Sequence, residues 1–195
     1  MKQCMLGLVI ALAGCVGSGS ENLERDYRRA VDLYNRKDTS GAQKILERLY
    51  NERSGFKNVT LLLGKTHYFS GNFQAARKYF AESSAPQARL WLAKSLSHES
   101  ERRKDALEIL TEITTEDPGE LEAWYWLGRV QEQTGQRDQA LVSFERAALE
   151  GSKLALVHLE LSRFYAARGL EEKSRHHKAL ATMLAPPATD ARSKQ

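Results

Sequence analysis

The residues with the most distinctive chemistry stand near the start of the chain. Its only two cysteines are Cys4 and Cys15, and every later residue is of another type. A chain cut before Cys15 keeps a single thiol, which excludes an internal disulfide and a cysteine-based zinc site. The run from Cys4 to Gly14 is apolar or small throughout and about half as long as a membrane-spanning helix. This is typical of the apolar region of a signal peptide.

The end of this run points to a particular use of the Cys15 thiol. The tetrapeptide Leu12-Ala13-Gly14-Cys15 resembles the lipobox of bacterial lipoproteins. That resemblance implies cleavage before Cys15 and transfer of a diacylglyceryl group to its thiol, with further acylation of the new amine for durable membrane anchoring. Residues 1–14 would be the signal peptide, and the glycine- and serine-rich residues 15–22 a flexible tether. An ordinary secretory signal is the alternative interpretation.

The residue after the cysteine bears on location. By resemblance to enterobacterial sorting, a residue other than aspartate at this position, here Val16, favours the outer membrane, facing the periplasm.

Histidines and carboxylates give weak evidence for catalysis. Glu172 and His176 are one helical turn apart and could share a metal, but the charged segment around them favours a solvated face. His67 falls where a repeat packs, which predicts a packed histidine. The chain lacks a nucleophile elbow, a phosphate-binding glycine loop and a His-Glu-x-x-His motif. We therefore predict no catalytic site, no metal and no cofactor.

Composition restricts the class of partner. The 195 residues are 42% hydrophobic and 28% charged, with a formal net charge of +4. Such a chain is long enough for one domain with a real core. The positive charge is small, and no basic run is interleaved with aromatic residues. Nucleic-acid binding is therefore not predicted.

An internal repeat organises the chain from Leu23 onward, where all strong segments have helical spacing. The clearest copy has pattern residues at positions 1, 4, 7, 8, 15, 20, 24 and 27: Leu121, Trp124, Leu127, Gly128, Gly135, Ala140, Phe144 and Ala147. Small residues at positions 8 and 20 permit close helix packing, and the glycine at position 15 makes the turn. The pattern resembles the tetratricopeptide repeat, a helical hairpin of about 34 residues.

Weaker copies extend the repeat over most of the chain. The predicted repeats are 23–56, 57–85, 86–120, 121–154 and 155–185, with residues 186–195 as a disordered tail. In the first copy Lys37 replaces the turn glycine, and the third has one extra residue in the loop around Ser100. We predict an all-α fold, an α-solenoid of five hairpins and about ten helices. The resemblance implies a right-handed superhelix.

The resemblance also implies where a partner binds. Positions 5 and 9 of the first helix of each repeat face the concave groove of tetratricopeptide domains. Position 5 reads Tyr27, Leu61, Leu90, Tyr125 and Leu159, which we call the apolar row. Position 9 reads Lys65, Lys94, Arg129 and Arg163 in the last four repeats, which we call the basic row. Tyr68 and Phe69 are predicted to add an aromatic anchor.

Two interpretations of the basic row stay open. In one, it binds an acidic partner segment with interspersed apolar side chains. In the other, it pairs with acids of neighbouring repeats such as Glu122 or Glu132 and keeps the groove soluble. No repeat has the Lys and Asn pair at positions 5 and 9 that reads chaperone carboxyl termini.

The whole pattern predicts a membrane-anchored scaffold that binds another protein. It resembles accessory lipoproteins of outer-membrane β-barrel assembly and the pilotins of type IV pili, and the residues do not choose between them. A structural envelope protein without a groove ligand is the second hypothesis. An enzyme or small-molecule binder is the third.

Overall fold

Most of the residues that the structure describes are helical. The computed structural model describes residues 15–185, which form nine α-helices and one short 3-10 helix, and no strand within that range. The predicted all-α solenoid of helical hairpins is confirmed. No helix in this part of the chain is long and apolar enough to cross a membrane. The predicted signal peptide, 1–14, and the predicted tail, 186–195, lie outside the described residues.

The described residues fall into two compact units, divided between Ser95 and Leu96, where one domain over 23–185 was predicted. The first unit contains α1 (Cys15–Asn35), α2 (Thr39–Arg53), α3 (Val59–Phe69), α4 (Phe73–Glu82) and α5 (Ala88–Leu96), whose last residue begins the second unit. The second contains the 3-10 helix (Ser100–Arg102), α6 (Arg103–Glu116), α7 (Leu121–Gln133), α8 (Arg137–Ala166) and α9 (Glu171–Leu184). The 3-10 helix occupies the loop expected to hold the extra residue of the third repeat.

Four of the hairpin turns share one backbone geometry. The residue at position 15 has a positive φ: 64° at Lys37, 80° at Gly71, 81° at Gly135 and 70° at Gly169. In the second hairpin the Gly71 N–H donates to the Tyr68 carbonyl at 3.0 Å, and the Asn72 N–H donates to the His67 carbonyl at 2.9 Å. The other three turns repeat this pair of bonds. This pair of bonds is the Schellman motif, which ends a helix at a left-handed residue and satisfies the last backbone carbonyls of the helix.

The residue after this turn starts the next helix. The Asp38 carboxylate accepts a hydrogen bond from the Gly41 N–H at 2.8 Å, and the Asn72 side chain accepts one from the Ala75 N–H at 3.1 Å. Such caps satisfy donors that the first helical turn leaves without partners. One dipeptide therefore both ends the first helix of the hairpin and begins the second.

In two hairpins, close contact between the helices depends on the glycine at position 8. A Cβ atom built on Gly64 would lie 2.6 Å from Cε1 of Phe80, and one built on Gly128 would lie 2.7 Å from Cε1 of Phe144. Real side chains do not approach so closely. The phenylalanine at position 24 therefore fills the space that the missing side chain leaves.

The structure corrects the predicted boundary between the fourth and fifth repeats. A turn was expected near residues 154 and 155, but α8 runs unbroken from Arg137 to Ala166. The segment contains no proline, and its single glycine, Gly151, is buried and packs toward Leu121. A continuous helix keeps every backbone hydrogen bond that a turn would interrupt. The described residues therefore hold nine α-helices where about ten were predicted.

The segment 15–22 also differs from the expected tether. α1 begins at Cys15, so this glycine- and serine-rich stretch continues the helix that packs from Leu23 onward. Adding a residue to an existing helix gains a hydrogen bond without the cost of nucleation. This offsets the poor helix propensity of Gly17 and Gly19.

Lys37 tests the turn geometry. For a residue with a Cβ atom, the left-handed conformation is about 1–2 kcal/mol less favourable than the right-handed one. Glycine does not have this conformational penalty, but its greater freedom in the unfolded chain offsets part of the stabilisation. We expect Lys37→Gly to raise the free energy of unfolding by roughly 1 kcal/mol in urea titrations. Arg36→Gly, which removes the same charge one residue earlier, is the control and should not stabilise. Equal effects of the two variants would contradict the described turn.

Candidate functional site

An aromatic cluster lies on the first unit at the end of α3 and on α5. The Tyr68 and Trp91 ring centroids are 5.2 Å apart, and those of Phe69 and Trp91 are 5.7 Å apart, with the rings steeply inclined to each other. Phe69 is 57% exposed, while Tyr68 and Trp91 are half-buried. The turn at Gly71 places the last residues of α3 at the surface. Packed aromatic bodies with one exposed ring form the type of surface that anchors protein partners.

Two lysines of the basic row stand over this cluster. The Lys94 Nζ lies 3.4 Å from the Trp91 ring centroid and 5.7 Å from that of Tyr68. The Lys65 Nζ lies 5.0 Å from the Trp91 centroid. An ammonium over an indole face is attracted by the ring's quadrupole. Trp91 therefore holds two positive charges together. Lys94 is buried, with 5% of its surface exposed, and Lys65 is half-buried.

The second unit has a related arrangement on α7. The Arg129 guanidinium carbon lies 5.9 Å from the ring centroids of both Tyr125 and Trp126, and an Arg129 N–H donates to the Tyr125 hydroxyl at 3.0 Å. Tyr125 is 40% exposed. His98 packs near Trp126, with ring centroids 6.4 Å apart. Burial, together with the positive charge of Arg129, lowers the pKa of His98, so His98 adds no positive charge to this site near neutral pH.

The two tryptophans were missed as site residues by the sequence analysis. Each stands at position 6 of its repeat, three residues before the cation at position 9. Residues three apart are neighbours on a helix surface, so the Trp-x-x-basic spacing at Trp91–Lys94 and Trp126–Arg129 was available as a signal. The repeat pattern had suggested position 5 as the neighbour of position 9. In the structure, Lys94 and Arg129 lie over the indole at position 6 of their own repeats.

The structure moves part of the apolar row into the core. Leu61 is 7% exposed and packs in a cluster with Ala76, Phe80 and Ala88, and Leu90 is 9% exposed. These two leucines lie in the interior and not on an open groove wall. Their helices pack so closely that position 5 is covered.

The remaining members of the apolar row vary. Tyr27 is half-buried, with its ring edge-on to Phe56 at 6.0 Å and the Lys57 Nζ 5.3 Å from its centroid. Leu159 is half-buried and Tyr125 is exposed. Of the five positions, only Tyr125 therefore offers an open surface.

The last member of the basic row has an acidic partner on its own helix. An Arg163 N–H donates to the Glu160 carboxylate at 2.5 Å, three residues away on α8. Both side chains are about two-thirds exposed. Surface pairs of this kind contribute little to stability. For Arg163 the pairing agrees with the second interpretation of the basic row, although the partner acid is in the same helix.

The histidine and carboxylate pair considered for a metal is on the surface of α9. Glu172 and His176 are both exposed. Among residues 15–185, no group of three or more histidines, cysteines or carboxylates is placed to hold a metal ion.

Comparison with known proteins agrees with the repeat pattern. Residues 97–159 match the family model described as tetratricopeptide repeat. No curated protein matches the chain. The family match covers the second unit from Ser97 into α8.

Solved structures extend the likeness to most of the chain. A crystal structure of MamA aligns with a TM-score of 0.61 at 16% identity, over 85% of this chain and 92% of that one. MamA 41-end from Desulfovibrio magneticus aligns with a TM-score of 0.61 at 15% identity, over 84% and 95%. Identity this low shows a common fold. The comparisons together support a tetratricopeptide-repeat fold.

His67 is a buried histidine whose protonation makes the stability of the fold depend on pH. It is 5% exposed, its ring stacks on Tyr79 at 5.3 Å between centroids, and its buried Nε2 makes no hydrogen bond to the described residues. Burial lowers the pKa of His67, opposed by the Glu47 carboxylate 3.9 Å from Nε2. The folded chain therefore keeps this histidine neutral at a pH where the unfolded chain is protonated.

We expect His67 to make the protein less stable in acid. As the pH falls below about 6.5, the unfolded chain binds a proton that the folded chain resists, so the free energy of unfolding decreases. His67→Phe keeps the ring stack and removes the titration. Its free energy of unfolding should change less between pH 7.5 and pH 5.0 than that of the wild type, measured by urea denaturation. The exposed His176→Gln is the control. An identical pH response in His67→Phe and wild type would refute the argument.

Proposed function

We propose that this chain is a lipid-anchored scaffold of the bacterial envelope, which binds an acidic segment of another protein through its tryptophan–cation surfaces. The observation that carries the proposal is the recurrence of one arrangement in both units. In each, a basic side chain at position 9 lies over a tryptophan at position 6. A charge that only keeps the surface soluble does not need an aromatic ring beneath it. The occurrence of the same contact in both units therefore favours a binding role.

The chemistry of the ligand follows from these surfaces. Cations held by indole rings lose less conformational freedom on binding a carboxylate than mobile lysines would. The exposed Phe69 and Tyr125 rings offer apolar contacts beside the charges. A segment that alternates acidic and apolar side chains satisfies both requirements. Ion pairing at a partly desolvated surface also speeds association and makes binding sensitive to salt.

The membrane attachment rests on the amino-terminal sequence. Acylation of Cys15 would hold the repeats at a membrane surface, and Val16 favours the outer membrane with the protein facing the periplasm. An accessory factor of outer-membrane assembly or of pilus biogenesis fits an anchored scaffold without a catalytic site. A structural envelope protein without a groove ligand is the second candidate, favoured by the local pairing of Arg163 with Glu160.

Charge reversal tests the binding surfaces. We expect Lys65→Glu combined with Arg129→Glu to reduce partner capture at least tenfold, because like charges then face the acidic segment. Lys94 is left unchanged, since a carboxylate in its buried position would cost folding stability. The measurement is quantitative mass spectrometry of proteins captured from solubilised envelope, with thermal melts to verify folding.

A matched control carries the same change in net charge elsewhere. Lys104→Glu combined with Arg137→Glu alters two exposed cations outside the tryptophan sites and should capture partners as the wild type does. Capture by the wild type should also weaken as salt rises. Undiminished capture by the Lys65 and Arg129 variant would show that the basic row is only solvated surface.

The lipid anchor has its own test. In a bacterial host, the wild type should incorporate labelled palmitate and partition into the detergent phase. Cys15→Ser should do neither, because the acceptor thiol is gone. Cys4→Ser removes the other cysteine, which lies outside the predicted lipobox, and should behave as the wild type. If Cys15→Ser remained labelled and in the detergent phase, Cys15 would not be the acylated residue.

A further inference from the structure

The long helix α8 has an exposed apolar face. Val142, Leu149, Leu156, Val157 and Phe164 are 48–65% exposed, although each has a large apolar side chain. Val142, Leu149 and Leu156 recur every seven residues, as do Val157 and Phe164. Seven residues are close to two full turns, so these side chains lie in one stripe about 33 Å long. We call this set the α8 stripe.

The opposite face of α8 is the one that packs in the second unit. Ala140, Ser143, Gly151, Ala155 and Ser162 are buried, and the helix lies against α7 and α9. The stripe exists because no turn divides α8 near residue 154. So many large apolar side chains exposed on one helix mark an interaction site.

The charges beside the stripe identify its occupant. Two acidic and two basic exposed residues lie among these side chains: Glu145 and Arg146 toward the start of the stripe, and Glu160 and Arg163 toward its end. Arg146 and Glu160 each lie seven residues from Lys153, on opposite sides. Val142 and Phe164 each lie eleven residues from it. A second α8, reversed about Lys153, therefore presents Glu160 to Arg146, Phe164 to Val142 and Val157 to Leu149.

We propose that the α8 stripe binds the α8 stripe of a second copy of this chain, antiparallel, with the twofold axis passing near Lys153. The pairing brings Leu149 level with Val157 of the other copy and Val142 level with Phe164. Between these contacts Arg146 meets Glu160, and symmetry makes each pair twice. The acidic segment proposed above as a partner would bring like charges to Glu145 and Glu160, so it matches this face less well.

The residue on the axis is compatible with this arrangement. Two Lys153 side chains would approach each other, but each Nζ is held by the Glu150 carboxylate of its own helix at 2.7 and 3.0 Å. Lysine stems are apolar and extend their charged ends toward solvent. The inference is independent of the partner segment proposed above, because the tryptophan–cation sites use other residues.

Sedimentation velocity of the full chain with Cys4→Ser and Cys15→Ser, over a concentration series up to about 0.1 mM, tests the dimer. We expect reversible dimerisation, and we expect Leu149→Glu to raise the dissociation constant at least tenfold. Met183→Glu is the control, since Met183 is 80% exposed on α9 and outside the stripe. It should dimerise as the parent does. A parent that stays monomeric, or dimerisation that Leu149→Glu leaves unchanged, would overturn the proposal.

Crosslinking tests the position of the axis in the same cysteine-free background. Lys153→Cys should be joined to itself in the dimer by a short bismaleimide, because residues at the axis face each other. Ala148→Cys, exposed on the same helix but away from the stripe, should crosslink far less. Equal crosslinking of both variants, with thermal melts showing both folded, would exclude this antiparallel arrangement.

Discussion

The constraint on which the repeats depend is a two-residue turn. Its first residue takes a left-handed conformation. The backbone carbonyl of its second residue accepts the first hydrogen bond of the following helix. Such a turn reverses the chain within a few residues and keeps the two helices of a hairpin close together. At Gly64 and Gly128 this close approach depends on the absence of a side chain, because a Cβ atom there would collide with the facing phenylalanine ring. The phenylalanine opposite each glycine then fixes the distance between the helices.

This packing decides which residues remain available at the surface. At α3 and α5 the helices approach until Leu61 and Leu90 are covered, so the first helices lose two apolar contacts that a more open groove would offer. What remains is an aromatic surface with cations fixed over it. The Lys94 Nζ, 3.4 Å from the Trp91 centroid, shows that the indole substitutes for part of the hydration that burial removes. In the second unit Arg129 lies over the Trp126 ring and also donates a hydrogen bond to the Tyr125 hydroxyl.

The absence of the turn is as informative as its presence. Between the fourth and fifth repeats no residue interrupts the helical hydrogen bonds, and α8 extends over thirty residues. A straight helix of this length buries one face against α7 and α9 and leaves the other to solvent. That face carries exposed valine, leucine and phenylalanine side chains, and their removal from water would favour association. The α8 stripe thus follows from a local feature of the backbone.

The amino-acid sequence by itself determined the all-α fold, the helical repeat and the positions of the turns at Lys37, Gly71, Gly135 and Gly169. These features are local, because each depends on residues within one hairpin: the helical spacing of apolar residues, the small residues between the helices and the left-handed residue of the turn. The sequence also predicts acylation of Cys15, and this stays a prediction. Only the tertiary structure decided that Lys94 and Arg129 lie over tryptophans, that Leu61 and Leu90 are interior, and that α8 is continuous. These depend on how closely neighbouring helices approach and on whether a helix gains more by continuing than by turning. Both are set by contacts between residues far apart in the sequence, which the spacing within one repeat does not contain.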